Sequence, residues 1–359
     1  MEYLDRPFMV GDTRTSLPAG LNPPAPGPKP EWLRKPLVHG NSLVRQAVRR
    51  NRLVTVCEEA RCPNRHECWA HHRTATFMVL GEVCTRNCRF CSVRSGRPAP
   101  PDPGEPERVA RAVVELDLDF VVVTMVSRDD LEDGGASHVA ATVRAIHAGR
   151  PGCRVEVLVS DFRGNRSAIE TLLASRPDVV GHNLETVRRL TPMVRSVASY
   201  ERSLEVLRLV REVWPEAITK SALMVGMGET MDEVIEAMED LRAAQVDLLA
   251  IGQYLQPTRR HVPVQRYWPP DEFTQLAREA HRRGFVRCVA GPWVRSSYRA
   301  DELYAAAVRW RRLRGSGAGP TRSAEHEGPG GAHGPEGAEC GHGRVAGEDD
   351  PAQRSGSQP

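Results

Sequence analysis

Cys84-Thr-Arg-Asn-Cys88-Arg-Phe-Cys91 is the most informative stretch of this 359-residue sequence. Its three thiols, separated by three and two residues, follow an apolar run at 74–80 that is typical of a short strand. A compact loop of this kind can bring three sulfurs to one metal centre, and thiolates are the soft ligands that iron–sulfur clusters select. A structural zinc loop is the alternative, although zinc sites usually contain paired C-x2-C units with a fourth ligand nearby. The spacing and the preceding strand favour a cluster in which three cysteines leave one iron open.

The C-x3-C-x2-C spacing, with the aromatic Phe90 just before the last cysteine, resembles the radical-SAM signature. This resemblance implies that Cys84, Cys88 and Cys91 hold a [4Fe–4S] cluster whose open iron chelates S-adenosylmethionine (SAM). Phe90 is then itself a predicted SAM contact.

Cys57, Cys62 and Cys68 form a second group, separated by four and five intervening residues. By spacing alone this group fits zinc about as well as iron. Because it precedes the first triad in the same chain, the sequence predicts two clusters. Residues 37–72, which contain the second group, are predicted to be an N-terminal extension that binds the auxiliary cluster.

The composition, with 40% hydrophobic and 26% charged residues, is typical of a soluble globular protein. No run of about 18 apolar residues occurs, and the start, Met-Glu-Tyr-Leu-Asp, lacks the pattern of a secretory signal. Nine cysteines without an export signal argue for a reducing compartment and for metal ligation, so a cytoplasmic location is predicted. The net charge of +3 is small and the arginines are interleaved with acids, so neither nucleic-acid nor membrane binding is indicated.

Beyond the second cysteine group, strand-like runs alternate with helical patterns. The predicted strands are 74–80, 120–125, 155–160, 179–182, 218–225, 248–252 and 286–290, and the predicted helices are 107–116, 136–148, 167–174, 203–213, 230–244 and 271–283. This alternation implies parallel βαβ units of an α/β fold. About six or seven units without a nucleotide fingerprint favour a partial (β/α)6-type parallel barrel over a doubly wound sheet.

Residues 73–312 are predicted to form this barrel. Residues 1–36 are rich in Pro and Gly and are predicted to be flexible, and 313–359 lack apolar residues and are predicted to be a disordered tail. The last predicted helix follows Pro269-Pro270, with Asp271 as its predicted N-cap.

Polar and glycine-rich loops follow four of the predicted strands. They are 128–135, 182–186, 226–230 and 252–258. Any one of them can be explained as turn chemistry or a helix cap. Four on one face favour a ligand site, at which Gly226 and Gly228 would let the backbone approach a ligand closely.

Over about residues 36–303 the chain resembles the lipoyl synthase family, whose members are radical-SAM enzymes that insert sulfur. The stretches that carry the resemblance are CEEARCPNRHECW (57–69), TRNCRFCSV (85–93), RDDLEDGGASH (128–138), HNLETVRRL (182–190), TKSALMVGMGET (219–230), GQYLQPTRRHVPVQRYW (252–268) and GPWVRSSY (291–298). Biotin synthase, the nearest chemical relative, lacks the first cysteine group and the RSSY ending. One departure is Met125-Val126-Ser127, where the family usually has Ser-Val-Asp, which removes one carboxylate from the ligand face.

The resemblance implies the activity and the site residues. Cys57, Cys62 and Cys68 would hold an auxiliary [4Fe–4S] cluster that supplies two sulfurs, with Ser297 of RSSY as its fourth ligand. The chemistry would be carried by the clusters and by SAM, of which two are used per lipoyl group, each cleaved to a 5′-deoxyadenosyl radical. These radicals would remove hydrogen from C6 and C8 of an octanoyl chain on a carrier lysine. Asn183, Glu185, Gly226 and Gly228 are further predicted SAM contacts, not distinguished from substrate contacts.

The implied partners are octanoylated lipoyl carrier domains, either of 2-oxoacid dehydrogenase E2 or of the glycine cleavage H protein. A reduced ferredoxin or flavodoxin would supply electrons, and a cluster-repair carrier would rebuild the auxiliary cluster. Two alternatives stay open at this stage, namely another radical-SAM sulfurtransferase similar to biotin synthase and a non-catalytic metal-binding protein.

Overall fold

The computed structural model describes residues 27–34, 43–71, 76–195 and 197–315. Most of the predicted flexible N-terminus and the tail from 316 onward lie outside these described residues. Contacts divide the chain into a unit of residues 1–312 and a unit of residues 313–359. The predicted boundaries at 36, 72 and 312 stay predictions.

The elements alternate along the chain much as the sequence predicts. The strands are β1 (Val54–Thr55), β2 (Thr76–Val79), β3 (Val83–Cys84), β4 (Arg94–Ser95), β5 (Phe120–Met125), β6 (Arg154–Leu158), β7 (Val179–Gly181), β8 (Ile218–Val225), β9 (Leu248–Gln253) and β10 (Arg287–Gly291). The helices are α1 (Leu43–Arg50), α2 (Val56–Glu59), α3 (Arg65–His71), α4 (Glu105–Glu115), α5 (Ala136–Gly149), α6 (Arg166–Leu173), α7 (Thr191–Val194), α8 (Tyr200–Val213), α9 (Met231–Ala243), α10 (Pro270–Arg282) and α11 (Ala300–Gly315).

The main sheet has the strand order β1-β2-β5-β6-β7-β8-β9-β10. All neighbours from β2 to β10 pair in parallel, and each strand lies beside the next one along the chain. A doubly wound sheet would reverse this order at a switch point, whereas the monotonic order here is that of a barrel-type sheet. The α/β prediction with a parallel barrel-type sheet is confirmed. Among the described residues, no strand pairing joins β10 back to β1.

The two faces of the sheet differ in what covers them. Val155 and Val157 of β6 pack with helical residues in one core, and Leu223 and Val225 of β8 pack with α8 and α9 in another. Because side chains alternate along a strand, Glu156 of β6 points to the opposite, inner face. At the first residues of the strands that inner face is covered by α11.

The N-terminal extension joins the sheet in a way that the sequence pattern did not show. Two residues, Val54 and Thr55, pair antiparallel with Phe77 and Met78 of β2 and form the edge of the sheet. A two-residue strand is too short for a period-2 pattern, which explains why it was missed.

The helix starts follow local chemistry. Thr230 and Glu233 form a reciprocal capping box that begins α9, close to the predicted start. The predicted N-cap role of Asp271 is wrong, because Pro269 occupies the N-cap position of α10 and Asp271 lies in the first turn. A proline at the first helical position loses no hydrogen bond, so the start moves back to Pro270.

Candidate cluster and cofactor site

The loop with the Cys84–Cys88–Cys91 triad follows β2 and lies against the carboxyl ends of neighbouring strands. The backbone N–H and the hydroxyl of Thr85 both donate to the Ser127 carbonyl, at 3.0 and 2.9 Å. The N–H of Arg89 donates to the Val194 carbonyl at 2.9 Å. Both Thr85 bonds end on the backbone carbonyl of Ser127. The presence of a serine side chain here, where similar sequences have Asp, therefore does not weaken these two hydrogen bonds.

Arg86, between the first two cysteines, is buried and ties the loop to two strands. Its guanidinium donates to both carboxylate oxygens of Asp129, at 2.8 and 2.7 Å, and to Asp161 at 2.6 Å. Burial alone would raise the pKa of each carboxyl, but the hydrogen bonds and charge of Arg86 outweigh it and hold both pKa values below their ordinary range. All three groups are therefore charged at neutral pH, and together they fix the loop.

The thiols of the triad are close enough to influence one another. Burial raises the pKa of Cys88 to about 11 and that of Cys91 to about 12. Cys84 contributes to both increases, and Cys88 contributes to that of Cys91. Such thiols stay protonated by themselves, whereas coordination to a metal deprotonates a thiol outright. The donor set, with three thiols on one anchored loop, fits an iron–sulfur cluster with an open position.

Glu185 and Asn183 lie beside this triad, as the sequence predicts for a ligand site. The charge of Glu185 raises the pKa of both Cys88 and Cys91, which places its carboxylate within electrostatic reach of them. Asn183 Nδ2 donates to Glu185 Oε1 at 3.1 Å. Glu185 adopts a left-handed backbone, with φ of 69°, an unusual conformation for a residue with a side chain.

Arg195 is a site residue that the sequence analysis missed. It is buried, and its Nη1 donates to the Leu184 carbonyl at 3.1 Å and to the Ser203 hydroxyl at 2.9 Å. Its charge lowers the pKa of Cys88 against the stronger effect of burial. No local motif marks Arg195, because only the fold brings the end of α7 to the triad.

The glycines at 226 and 228 have an explanation within the chain. A Cβ at Gly226 would lie 2.1 Å from the Gln253 side chain and 2.7 Å from the Arg266 carbonyl. The adjacent N–H groups of Gly226 and Met227 donate to the Glu229 carboxylate. Both glycines have φ near 110°, so the turn itself requires them. Their predicted approach to SAM stays a prediction.

Phe90 is partly buried and packs at the edge of the core that contains Leu223 and Trp268. This contact holds the ring of Phe90, which lies between the last two cysteines of the triad in the sequence, in place. Its predicted contact with SAM is untested by these contacts.

The second cysteine group is spread over α2, the turn after it and α3. Cys57 is buried in α2, Cys62 lies in the turn, and Cys68 lies in α3. The N–H of Cys62 donates to the Cys57 carbonyl at 3.1 Å. Burial raises the pKa of Cys57, and the neighbouring Cys62 raises it further.

The segment at 291–298 folds back onto this extension from the far end of the chain. Asn64 Nδ2 donates to the Trp293 carbonyl at 2.6 Å, across 229 residues of sequence. The Arg295 guanidinium is partly buried and lies within electrostatic reach of Cys62. Ser297 is thus carried on the same segment that contacts the second cysteine group.

In the part of the chain that the structure describes, no three His, Cys, Asp or Glu side chains are already arranged around a common metal position. The ligand sets therefore stay predictions. None of the described helices is long and apolar enough to cross a membrane.

His182, next to this site, gives a testable dependence of stability on pH. Its Nδ1 donates to the Val159 carbonyl at 2.9 Å, and its Nε2 has no hydrogen-bond partner among the described residues. Burial, reinforced by Arg195, lowers its pKa to about 4. As the pH falls from about 6.5 towards 4, the unfolded chain binds this proton before the folded chain does. We expect that step to remove about 3 kcal/mol from the free energy of unfolding.

Urea unfolding at pH 7.0 and at about pH 4.5 measures this loss. The variant His182→Asn should show a smaller difference between the two pH values, whereas the exposed His281→Asn control should match the parent protein. An identical pH dependence in the parent and in His182→Asn would contradict the assignment.

Comparison with known proteins agrees with this geometry. The family model of the radical SAM superfamily matches residues 78–241, which contain the triad loop and most of the parallel strands. The fold and the site therefore define a radical SAM enzyme, a class that uses a [4Fe–4S] cluster and SAM.

The relatives narrow the class to one family. The lipoyl synthase of Oceanobacillus iheyensis is 54% identical over 288 residues, covering 80% of this chain and 92% of that protein. The lipoyl synthase of Bacillus subtilis is 55% identical over 276 residues, covering 76% of this chain and 93% of that protein. This chain belongs to the lipoyl synthase family. Among solved structures, methylornithine synthase is 12% identical with a TM-score of 0.47, over 80% of this chain and 93% of that one.

Proposed function

We propose that this protein inserts two sulfur atoms, at C6 and C8, into an octanoyl chain carried on a lysine of another protein, forming the lipoyl group. The observation that carries this proposal is the contact between the segment 291–298 and the N-terminal extension, through Asn64 and Arg295. Ser297 lies on the same segment, and the contact therefore supports a second metal centre held by Cys57, Cys62, Cys68 and Ser297.

Cys84, Cys88 and Cys91 would hold the SAM-binding [4Fe–4S] cluster, and Cys57, Cys62, Cys68 and Ser297 would hold the auxiliary one. When bound, the clusters and SAM supply radical chemistry and sulfur. An unactivated alkyl C–H bond has no acidity, so a general base cannot remove its hydrogen. A radical supplied by a cofactor is needed instead. A serine oxygen is a hard donor among soft sulfurs, so it can be given up more readily than a fourth thiolate.

The chain's own residues bind and orient SAM. Arg195 offers a buried positive charge near Cys88 that suits the SAM carboxylate. Glu185 and Asn183 offer an acceptor and an amide on the same side of the triad. Phe90, Gly226 and Gly228 are proposed to complete the SAM pocket by apolar and backbone contact.

The substrate class follows from the family, and the carriers are part of the proposal. The octanoyl group would arrive on lipoyl domains of 2-oxoacid dehydrogenase E2 or on the glycine cleavage H protein. Reduced ferredoxin or flavodoxin would supply electrons, a cluster-repair carrier would restore the auxiliary cluster, and the reaction would take place in the cytoplasm.

A single-turnover assay under strict anaerobiosis tests the proposal. Reconstituted protein is mixed with SAM, a strong reductant and a peptide that carries octanoyl-lysine, and the products are read by mass spectrometry. A peptide that gains two sulfurs, with 5′-deoxyadenosine and methionine, is the expected result. SAM cleavage with an unchanged peptide would refute the substrate, and an iron-loaded sample that cleaves no SAM would refute the role of the triad.

Replacing Arg195 tests its role in SAM binding. Arg195→Met is expected to weaken SAM binding by about 10- to 100-fold, because a charge-assisted hydrogen bond to the ligand is lost. Equilibrium binding of SAM to the reconstituted protein measures the effect, with cluster absorbance as a check on folding. Arg166→Met, which removes an exposed guanidinium paired with Glu170 and Glu212, is the matched control. Equal SAM affinity in both variants would contradict this role.

A further inference from the structure

The loop that follows β9, residues 254–262, lies against the loop of the cysteine triad. The Tyr254 side chain at its start is buried, and its hydroxyl donates to the Val262 carbonyl at 2.8 Å. The N–H of Val262 donates to the Arg89 carbonyl of the triad loop at 2.9 Å. Tyr254 and Val262 belong to the same buried core, against which Phe90 also packs. The core therefore holds both ends of this loop and joins it to the triad.

His261, near the end of this loop, reaches the last cysteine of the triad. Its Nε2 lies 2.9 Å from the Cys91 carbonyl oxygen. A carbonyl can only accept, so Nε2 carries a hydrogen and donates it. The other ring nitrogen, Nδ1, lies 2.8 Å from the Thr258 hydroxyl, and the backbone carbonyl of His261 accepts from Gln256 Nε2 at 2.9 Å. Because both ring nitrogens are hydrogen-bonded, the position of the ring is fixed.

The Cys91 carbonyl lies at a point of the triad loop that controls the direction of a thiol. The N–H of Cys91 donates to the Cys88 carbonyl at 3.0 Å, so these two cysteines share one turn. The N–H of Val93 is hydrogen-bonded to the Cys91 sulfur and lowers the pKa of that thiol against the larger effect of burial. The peptide group with the Cys91 carbonyl lies between the sulfur and this N–H along the chain. A donor that holds the carbonyl therefore also holds the sulfur, and such outer contacts orient metal ligands.

We propose that His261 is a positioning residue that directs the Cys91 sulfur towards the cluster of the triad. This inference rests on the proposed function, because it takes the triad as the ligand set of the SAM-binding cluster. Thr85 and Arg86 fix the start of the triad loop, and His261 fixes its end. His261 acts through the Cys91 carbonyl and supplies no ligand of its own.

The variant His261→Phe tests this role, because it removes the donor and keeps a planar ring. Reconstituted protein with both clusters is mixed with an iron chelator under anaerobic conditions, and the released iron is followed over time. The phase of release that coincides with loss of 5′-deoxyadenosine formation belongs to the triad. We expect that phase to be about 10- to 100-fold faster in His261→Phe, the range by which outer groups change metal affinity. Release of the remaining iron, from the second cysteine group, should keep the parent rate.

Three further variants separate the donor from general effects on the fold. His261→Gln places a side-chain N–H where Nε2 was, so its triad phase should return to within about threefold of the parent rate. His281→Phe is the matched control, since it makes the same change at an exposed position of α10 and should keep the parent rate. If His261→Phe does not fold, Thr258→Val removes only the hydroxyl beside Nδ1. It should speed the triad phase by about 2- to 10-fold, the cost of one hydrogen bond.

The outcomes separate the two proposals. An iron-loaded parent protein that cleaves no SAM refutes the role of the triad and with it the proposed function. An active parent whose triad phase is unchanged in His261→Phe refutes the positioning role alone. Equal acceleration of both phases, or a triad phase in His261→Gln as fast as in His261→Phe, refutes it too. If only Thr258→Val folds, an unchanged triad phase has the same meaning.

Discussion

Cys88→Ala is expected to reduce SAM cleavage by more than about 100-fold, beyond the 10- to 100-fold loss typical of residues that only support a metal ligand. Cys88 is the middle thiol of the triad, on a loop that Thr85 and Arg86 fix to the ends of β5 and β6. A neutral methyl group cannot replace a thiolate ligand, so the cluster and its open iron would be lost. Formation of 5′-deoxyadenosine by the reduced, reconstituted protein measures the loss.

Cys153→Ala is the control for this prediction. Cys153 is also a buried thiol, but it lies at the start of β6, away from the loop. Its replacement should leave SAM cleavage and the cluster absorbance within about twofold of the parent protein, as changes outside the site usually do. Substantial SAM cleavage by Cys88→Ala would show that the triad does not bind the cluster that activates SAM.

Cys62→Ala is expected to abolish sulfur insertion while SAM cleavage continues. Cys62 lies in the turn between α2 and α3, on a part of the chain separate from the triad loop. Because it would hold only the auxiliary cluster, its loss removes the sulfur source and leaves the SAM site intact. The ratio of 5′-deoxyadenosine to sulfur-containing peptide in a single turnover should rise by about 100-fold or more. Replacing a residue that only supports a metal ligand already costs about 10- to 100-fold, and loss of a direct ligand should cost at least as much.

Ser297→Cys gives a companion test at the fourth ligand. If the oxygen is released when the cluster gives up its sulfur, a thiolate in its place should lower the single-turnover yield. An unchanged yield would argue against a labile serine ligand. Loss of SAM cleavage together with sulfur insertion in Cys62→Ala would show that the two cysteine groups do not have separate roles.

The fold was predictable to a large extent because it is encoded in local patterns. All seven predicted strands of the parallel sheet and all six predicted helices between them are present, with ends shifted by a few residues. The apolar periods of strands and helices and the turn residues between them carry this information. The edge strand β1 was missed because Val54 and Thr55 are too few to show a period.

The candidate site was predictable only in part. Asn183 and Glu185 were found because they follow a strand, and the structure places them beside the triad. Arg195 was missed because it lies at the end of a four-residue helix that no pattern marks. The glycine at 226 was assigned to ligand approach, whereas its position is also explained by the Gln253 side chain that fills the space beside it.

The sequence by itself determined the radical SAM class, the order of the strands along the chain and the family, since thiol spacing and side-chain periodicity are local properties of the chain. Only the tertiary structure decided which distant groups meet. Trp293 contacts Asn64 across 229 residues, and Lys220 pairs with Glu156 across 64. Such contacts depend on strand register and on which face each side chain takes, and a single sequence does not specify either one without the packing of the whole sheet.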